Sequence, residues 1–331
     1  MPVGLKNLFF TLCMIILRKT LLLEVVNLIY FIQMLFNRYF YLITTVLSIQ
    51  LGHSQYTDII NSNRPGESHA AFSVGKSVVQ TEGGVSYISE KHDGTEAEIN
   101  GFFVDFDLRL GFWKEELEFI ADLQYRTDSY QIPGQESSNR SGLRTSALGF
   151  KYLVYDPFKN YEEKVNVYSW KANQKFKWRQ FIPAVAGYGG VNFFLLDNPY
   201  ISEDEAYISP RGMVILQNHF SGGWVFVTNL LVDKIATDFM TFGGIFTTTK
   251  SFDANWSGFL EFQGYKSDYY NDIILRGGAA YLLGENMQLD ISIGKSFRNS
   301  TDVIYGGLGI SWRSAVNYEN IKLFKDDGVK K

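Results

Sequence analysis

The sequence has little cysteine and little proline. Its 331 residues include one cysteine, Cys13, and seven prolines. A single cysteine can form neither an intramolecular disulfide nor a zinc site with several thiolates, which excludes both kinds of small stapled domain. The net charge is -4, and no basic block with stacking aromatic residues stands out. The chain lacks the positive surface that binds phosphate backbones, so we predict no nucleic-acid partner.

Long apolar runs are confined to residues 1–54. Two of them, Leu8–Leu17 and Leu21–Phe36, are shorter or more polar than the roughly 20 apolar residues that a spanning helix needs. A short basic start at Met34 is followed by an apolar stretch and by small residues before Gln55. This order is typical of a secretory signal peptide. We therefore expect Met34 to be the working start and cleavage to precede Gln55; the alternative is a retained inner-membrane anchor.

Aromatic residues are abundant, and they follow an alternating pattern from Val78 to Trp312. There are 20 Tyr and 27 Phe. In Asn255–Tyr265, Leu260 falls on one face with other apolar residues, and Glu261 falls on the opposite, more polar face. A period of two is that of a β-strand, and apolar-out, polar-in strands are typical of outer-membrane barrels. The predicted fold is an all-β, antiparallel transmembrane β-barrel.

Turn residues divide this region into about twelve strand-length segments, an even number that allows the sheet to close. The predicted strands are Val78–Glu90, Glu98–Leu110, Glu116–Asp128, Gly142–Val154, Phe181–Leu195, Pro210–Phe220, Trp224–Asp233, Asp238–Lys250, Asn255–Lys266, Ile273–Leu283, Met287–Phe297 and Val303–Arg313.

Loop length predicts which end of the barrel is which. Bacterial barrels have short periplasmic turns and longer external loops. The connections at 112–115, 221–223 and 284–286 are short, whereas 129–141 and 196–209 are longer and polar. We therefore expect both ends of the barrel domain, and every connection after an even-numbered strand, on the periplasmic side.

The connection at 155–180 breaks this pattern, because it is predicted to be periplasmic yet is the longest. It is either an amphipathic helix on the inner rim, with its cations at lipid phosphates, or a solvated loop. We predict that it forms a periplasmic interface for a partner. The residues expected to carry this contact are Trp170, Lys171, Lys175, Lys177, Trp178 and Arg179.

Charged residues on the polar faces are predicted to line the lumen, with Arg276 and Arg313 as further candidates. They either pair across the lumen and fill it, or form a water-filled constriction that selects by size and charge. The ten predicted lining residues are Glu82, Asp105, Asp107, Arg109, Glu118, Asp122, Arg126, Lys151, Glu261 and Asp290.

The segment 55–77 precedes the first strand and is too polar for lipid. Arg64-Pro65 is an extended or turn-forming pair, and Arg64 is long enough to reach carboxylates in the lumen such as Glu82. We predict that this segment is a plug inside or under the barrel; the alternative is a loose periplasmic tail.

Catalytic and metal-binding patterns are weak. After the leader, the histidines are His69, His92 and His219, and the pairing of His219 with Ser221 on one face lacks an acidic partner. Glycines within strands do not form a phosphate loop. We predict no enzyme activity, no cofactor and no metal site.

Short motifs resemble the family of MetA-pathway of phenol degradation proteins. They are Asn61–Gly66, Ala71–Gly75 and Gln80–Gly84, followed by Lys177–Arg179 and Ile182–Ala184. The resemblance implies an outer-membrane barrel of the kind often called a transporter, and its family name implies aromatic compounds. Unlike barrels that end on an aromatic residue of the last strand, this chain continues past Trp312.

These observations predict a channel for passive passage of small, apolar or aromatic solutes across a Gram-negative outer membrane. The alternative is a non-conducting barrel that serves as scaffold or subunit of an envelope protein complex. Expected partners are outer-membrane lipid or lipopolysaccharide and small solutes. The predicted organisation is a leader at 1–54, a plug-like segment at 55–77, a barrel at 78–314 and a tail at 315–331.

Overall fold

The structure, a computed structural model, describes residues 60–159, 168–169, 177–194, 198–202, 204–298 and 301–314. The predicted leader and C-terminal tail lie outside the described residues, as do Trp170, Lys171 and Lys175. Among the residues that are described, no helix has the length and apolar character of a membrane span.

Twelve strands account for most of the described chain, together with one turn of 3₁₀-helix at Trp178–Phe181. The strands are β1 (Val79–His92), β2 (Glu98–Gly111), β3 (Leu117–Gln131), β4 (Ser138–Tyr155), β5 (Ala184–Phe193), β6 (Ile208–Phe220), β7 (Trp224–Asp233), β8 (Thr241–Ser251), β9 (Trp256–Lys266), β10 (Asn271–Leu283), β11 (Met287–Arg298) and β12 (Thr301–Arg313).

The sheet is closed. Each strand pairs antiparallel with its neighbours in sequence, and β1 pairs with β12 from Gln80 opposite Arg313 to His92 opposite Thr301. Closure removes every sheet edge, which is the condition for a sheet to cross a bilayer. The predicted fold class is confirmed. The largest difference in strand bounds is at β4, which begins at Ser138 rather than Gly142.

The apolar face of the strands points outward. In β9, the side chains of Leu260 and Phe262 are 53% and 48% exposed, whereas Glu261 and Gln263 are 0% and 2% exposed. A soluble sandwich would show the reverse, because its apolar face would be covered by a second sheet. The outer surface of this barrel is therefore suited to lipid.

Both ends of the barrel domain, Val79 and Arg313, lie at one end of the cylinder, which we call the terminal end; the other is the distal end. The terminal end carries the short connections 221–223, 252–255 and 284–286. It also carries the long connection between β4 and β5. This distribution follows from antiparallel pairing of an even number of strands.

The interior contains an apolar core as well as charged groups. Ala71 is fully buried inside the barrel, and the neighbouring Phe72 packs against the same cluster. The buried side chains around them come from β3 to β8. An interior filled in this way is a packed core on one side of the lumen rather than a wide aqueous pore. The other members of the cluster are Ile120, Leu153, Ala184, Ala186, Tyr188, Met213, Ile215, Val227, Leu231 and Ile245.

Candidate functional site in the barrel lumen

Residues 60–77, here called the lumen segment, run through the inside of the barrel. The backbone N–H of Ile60 donates to Glu285 O in the β10–β11 turn, and that of Ser77 donates to Gly111 O at the end of β2. Both contacts lie at the terminal end, so the segment enters the lumen there and returns to the same end. Between them its backbone is not part of any strand.

Three buried glutamates on the barrel wall bind the backbone of the lumen segment. Glu82 accepts the N–H groups of Asn63 and Arg64 at 2.9 and 3.1 Å. Glu261 accepts those of residues 67 and 68 at 3.1 and 3.2 Å, and Glu118 accepts that of residue 74 at 2.8 Å. Backbone without a strand partner needs such acceptors when water is scarce. The carboxylates thus hold this segment inside the barrel.

Other wall residues bind the same backbone through amides and cations. The Asn229 side chain binds both backbone polar groups of His69. It accepts the backbone N–H at 2.6 Å and donates to the backbone carbonyl at 3.0 Å. Gln217 accepts the N–H of residue 71 at 2.8 Å. Lys151 donates to the carbonyls of residues 70 and 72, at 2.6 and 3.1 Å. The wall therefore recognises main-chain groups along most of this path.

Four of the predicted lumen residues form one buried ion network. Arg109 lies 3.2 Å from Glu82 and 3.1 Å from Glu118, and Lys151 lies 2.7 Å from Glu118. All four side chains are 0% exposed. Two cations balance two anions, and the hydrogen bonds to the lumen segment use their remaining lone pairs and protons. Such satisfaction is what makes buried charge tolerable.

The Arg64 side chain lies along the same wall that binds its backbone, over the adjacent strands β1 and β12. Its guanidinium lies 3.3 Å from Asp290 and 3.6 Å from Asp105. The expectation that it reaches Glu82 is wrong for the side chain, because Glu82 binds the Arg64 backbone N–H instead. A Cβ at Gly84 or Gly309 would overlap the guanidinium, so both glycines make room for it. Asp290 and Asp105 thus fix the position of the segment.

Glu67 continues this charged layer beyond Pro65, which is buried. Its carboxylate lies 2.7 Å from Arg276, and the side chain is 45% exposed to the lumen. Burial in the lumen would raise the pKa of Glu67, but the charges of Arg276, Arg64 and Arg144 together lower it, so the group is a carboxylate at neutral pH. We call residues 63–67 with these partners the septum.

The septum separates two cavities. A distal cavity of about 600 Å³ and a proximal cavity of about 250 Å³ both touch Asn63, Arg64 and Gly66. The proximal cavity is lined by residues near the terminal end, such as His219. The distal cavity is lined by residues near the other end, including Tyr200. The lumen is therefore open on both sides of one short stretch of backbone.

Three further predicted lining residues, Asp107, Asp122 and Arg126, face the distal cavity. Asp107 on β2 lies directly opposite Asp122 on β3, and Asp122 is 3.7 Å from Arg211. Arg126 pairs with Glu90 at 2.8 Å and stacks on Tyr200. This charged wall is nearly balanced in sign.

Tyr200 lies in the described part of the β5–β6 connection and covers the arginines at the distal mouth. The guanidinium carbons of Arg126 and Arg140 lie 5.4 and 5.5 Å from the centroid of its ring. Burial raises the pKa of Tyr200 to about 12, so the hydroxyl stays protonated and donates to the carbonyl of Arg140 at 3.1 Å. The loop is thus fastened across the rim of the cavity.

At the terminal end, Trp178 is 89% and Phe181 57% exposed. Arg179 donates to Pro157 O at 2.6 Å, which ties this turn to the start of the same connection. Every tryptophan that the structure describes is near this end. They are Trp113, Trp178, Trp224, Trp256 and Trp312.

His219 lies beside the lumen segment. Its Nε2 is 2.9 Å from the Gln217 side-chain nitrogen, and the centroids of the His219 and Phe72 rings are 5.5 Å apart. Ser221 accepts a hydrogen bond from Gln180. Across the described ranges, no cluster of His, Cys, Asp or Glu has the geometry of a metal site.

Sequence reasoning missed Asn229, Gln217 and Arg211. Alternation places all three on inward faces, which is the signal that was available. It does not distinguish an amide that anchors backbone from one that merely faces water.

A closed antiparallel barrel with an apolar outer surface and an ion-paired interior defines a membrane-spanning β-barrel of the outer-membrane type. A family model described as "Putative MetA-pathway of phenol degradation" matches residues 62–314, and the chain belongs to this family. The predicted resemblance is thereby confirmed. A search of curated proteins found no match.

Solved structures with a similar fold are outer-membrane barrels of low sequence identity. An outer membrane channel from Pseudomonas putida F1 is 12% identical, with a TM-score of 0.47, and the match covers 76% of this chain and 100% of that one. The translocator domain of the autotransporter NalP from Neisseria meningitidis is 9% identical, with a TM-score of 0.44 and coverage of 76% and 90%. The Pseudomonas putida toluene transporter TodX is 8% identical, with a TM-score of 0.39 and coverage of 72% and 90%.

Proposed function

We propose that the protein is a passive outer-membrane channel for small solutes, gated by the lumen segment. The observation that carries this proposal is the pair of cavities on the two sides of the septum, which touch the same residues, 63, 64 and 66. If the interior residues served only to pack the barrel, two cavities facing opposite ends would not be expected. Displacement of about five residues of backbone would join them.

The gate is held by bonds that can exchange. The septum is fastened by the partly exposed ion pair between Glu67 and Arg276 and by the 3.3 Å contact between Arg64 and Asp290. The septum also has buried contacts, because Glu82 and Glu261 accept backbone N–H groups of residues 63, 64 and 67. Residues 70–74 are fastened by the fully buried network around Glu118. We expect opening to begin at the partly exposed pair of Glu67 with Arg276, where ion pairing is weakest, while the anchor at residues 70–74 stays in place.

Small size and a partly apolar body are the solute properties that fit this lumen. The distal cavity combines charged groups with Phe103, Tyr265 and Tyr305. The family name refers to phenol degradation, which is consistent with an aromatic solute. Passage would need no energy source, since nothing in this mechanism uses one. No enzymatic step is part of the proposal.

In this proposal the terminal end faces the periplasm, with the connection at 155–180. Its short turns and the predicted leader both favour that orientation. The tryptophans near this end would lie at the lipid headgroups, where their rings are stabilised. The distal mouth would face lipopolysaccharide.

A reversible lock on the lumen segment tests the gate. The hydroxyl oxygens of Ser62 and Ser311 lie 2.7 Å apart, so Ser62→Cys with Ser311→Cys should form a disulfide. In planar bilayers we expect the oxidised protein to be nearly silent and the reduced protein to conduct. The Ser62→Cys single variant is the control and should conduct in both states.

A deletion of residues 60–71 provides the second arm. We expect it to conduct continuously, because the septum is absent. A deletion variant that inserts as a folded barrel and remains silent would overturn the channel, and equal conductance of the locked and reduced forms would overturn the gate.

A second candidate, a scaffold in an envelope complex, is favoured by one feature. Trp178 and Phe181 are exposed on the connection where partner contact was predicted. Co-purification in mild detergent with Trp178→Ser and Lys177→Glu separates the two functions. Loss of a stoichiometric partner in these variants, with no conductance in any form, would favour the scaffold.

A further inference from the structure

The distal cavity has an apolar patch on a wall that alternation would make polar. Four of its side chains, Ile88, Phe103, Val303 and Tyr305, are only 4 to 8% exposed, and Ile274 packs against them. All five line the distal cavity and come from β1, β2, β10 and β12. An apolar patch inside a polar lumen is the kind of surface that binds the body of a small ligand.

Tyr305 borders this patch and joins it to a cation. Its ring lies over Gly294 on β11, where a Cβ would come within 2.5 Å of the ring. The Arg276 guanidinium lies over the same ring, 4.9 Å from its centroid. A glycine beneath and a cation above fix the plane of the ring. The patch therefore ends at a positioned guanidinium.

Arg276 is held by the septum through its ion pair, in addition to its stacking on Tyr305 of the wall. It lies 2.7 Å from the Glu67 carboxylate, and it donates to Pro65 O at 3.3 Å. Its Nε is buried and has no hydrogen-bond acceptor among the described residues. Arg64 and Arg144 add positive charge around Glu67. The wall carboxylates near this field are already engaged. Asp105 is paired with Arg64, and Glu261, which lies opposite Arg276 on β9, accepts the backbone N–H groups of residues 67 and 68.

We infer that Glu67 occupies the place of a ligand carboxylate, and that the lumen takes small apolar or aromatic monocarboxylates. The apolar body of the ligand would lie on the patch, and its carboxylate would replace Glu67 at Arg276. Exchange of one carboxylate for another costs little electrostatically, because Arg276 stays paired throughout. The released Glu67 would loosen the septum. This inference rests on the proposed function and adds to it the solute class and the trigger.

Benzoate and benzamide are the matched probes, because they share a ring and differ in the charge of one group. In calorimetric titrations of the detergent-solubilised full chain, we expect benzoate to bind and benzamide to bind at least about tenfold more weakly. Arg276→Gln should remove this preference. Glu67→Gln should strengthen benzoate binding several-fold, because the internal competitor is lost.

Arg298→Gln is the control variant. Arg298 also lines the distal cavity and pairs with a carboxylate, Asp272, at 3.5 Å, but it lies outside the patch. Its replacement should leave benzoate binding unchanged. Hydrogen exchange supplies an independent readout, since benzoate should speed exchange of the backbone N–H groups in residues 63–69 and benzamide should not.

Equal binding of the two probes, or absence of binding by both, overturns the inference. So does weaker benzoate binding in Glu67→Gln, a variant whose altered side chain is half exposed and whose backbone bonds to Glu261 are kept. Conductance that follows the lock experiment while the probes bind alike would leave the channel standing without this site. Binding that depends on Arg276 in a silent barrel would show a ligand site without passage.

Discussion

Lys151 and Glu118 form an ion pair of 2.7 Å in which neither side chain is exposed. The pair joins β3 to β4 and also fastens the lumen segment. Glu118 accepts the backbone N–H of residue 74, and Lys151 donates to the backbone carbonyls of residues 70 and 72. One ion pair thus stabilises both the pairing of β3 with β4 and the position of the lumen segment.

Loss of this pair should strongly destabilise the barrel. Lys151→Met leaves Glu118 with one cation instead of two, leaves the Ala70 carbonyl without a donor and leaves the Phe72 carbonyl with only a 3.4 Å bond from Arg109. Removal of one partner of a buried pair typically costs about 3–5 kcal/mol. Chemical unfolding of the detergent-solubilised protein measures the change. Lys91→Met is the control, because Lys91 and Glu98 form an exposed pair worth at most about 1 kcal/mol. Equal effects of the two variants would contradict a structural role for the buried pair.

The amide of Asn229 should control local opening of the lumen segment. Asn229→Leu removes both hydrogen bonds to His69 and leaves a backbone donor and acceptor unpaired, at a cost of about 1–3 kcal/mol for each buried group. We expect faster hydrogen exchange in residues 66–72, with little change in the strands. Thr228→Val, next along β7 and facing outward, is the matched control. Unchanged exchange in Asn229→Leu would show that this contact does not restrain the segment.

The barrel could be predicted from sequence because its signals are local. Period-two alternation and turn residues define β7 at the same bounds that the structure has, Trp224–Asp233. Each strand pairs with its neighbour in sequence, so topology needs no long-range information beyond closure of β1 on β12. The outward apolar face of β9 follows from the same alternation.

The interior could be predicted only in part. Alternation places Glu82 and Arg109 inward, but it cannot specify which backbone or side-chain groups they bind. Those partners depend on the path of the lumen segment, which has no periodicity and is positioned by contacts with residues up to 249 positions away in sequence. Asn229 and His69 meet only in three dimensions. The apolar patch around Ile88 and Tyr305 was missed because alternation predicts one polarity for the whole inward face of a strand. It does not predict how polarity changes along the barrel axis.

Room for Arg64 should depend on Gly84. A Cβ there would overlap the guanidinium, whereas a Cβ at the adjacent Gly83 would have only an ordinary contact of 3.4 Å with a carbonyl. Gly84→Ala should therefore displace Arg64 from Asp290 and raise the frequency of opening in planar bilayers. Gly83→Ala should leave gating unchanged, with a stability change within about 1 kcal/mol. Identical gating in the two variants would mean that the position of Arg64 does not limit opening.

The lipid-facing surface predicts a depth-dependent cost for charge. Leu260 is 53% exposed near the middle of β9, and Phe262, two residues further along the same outward face, is 48% exposed. Leu260→Arg should cost about 2–4 kcal/mol when folding is measured in lipid vesicles, and Phe252→Arg in the β8–β9 turn should cost about 0–1 kcal/mol. The difference should shrink in detergent micelles, which adapt to the substituted surface. Equal costs at the two positions in vesicles would contradict a bilayer around β9, because only a hydrocarbon layer discriminates between them by depth.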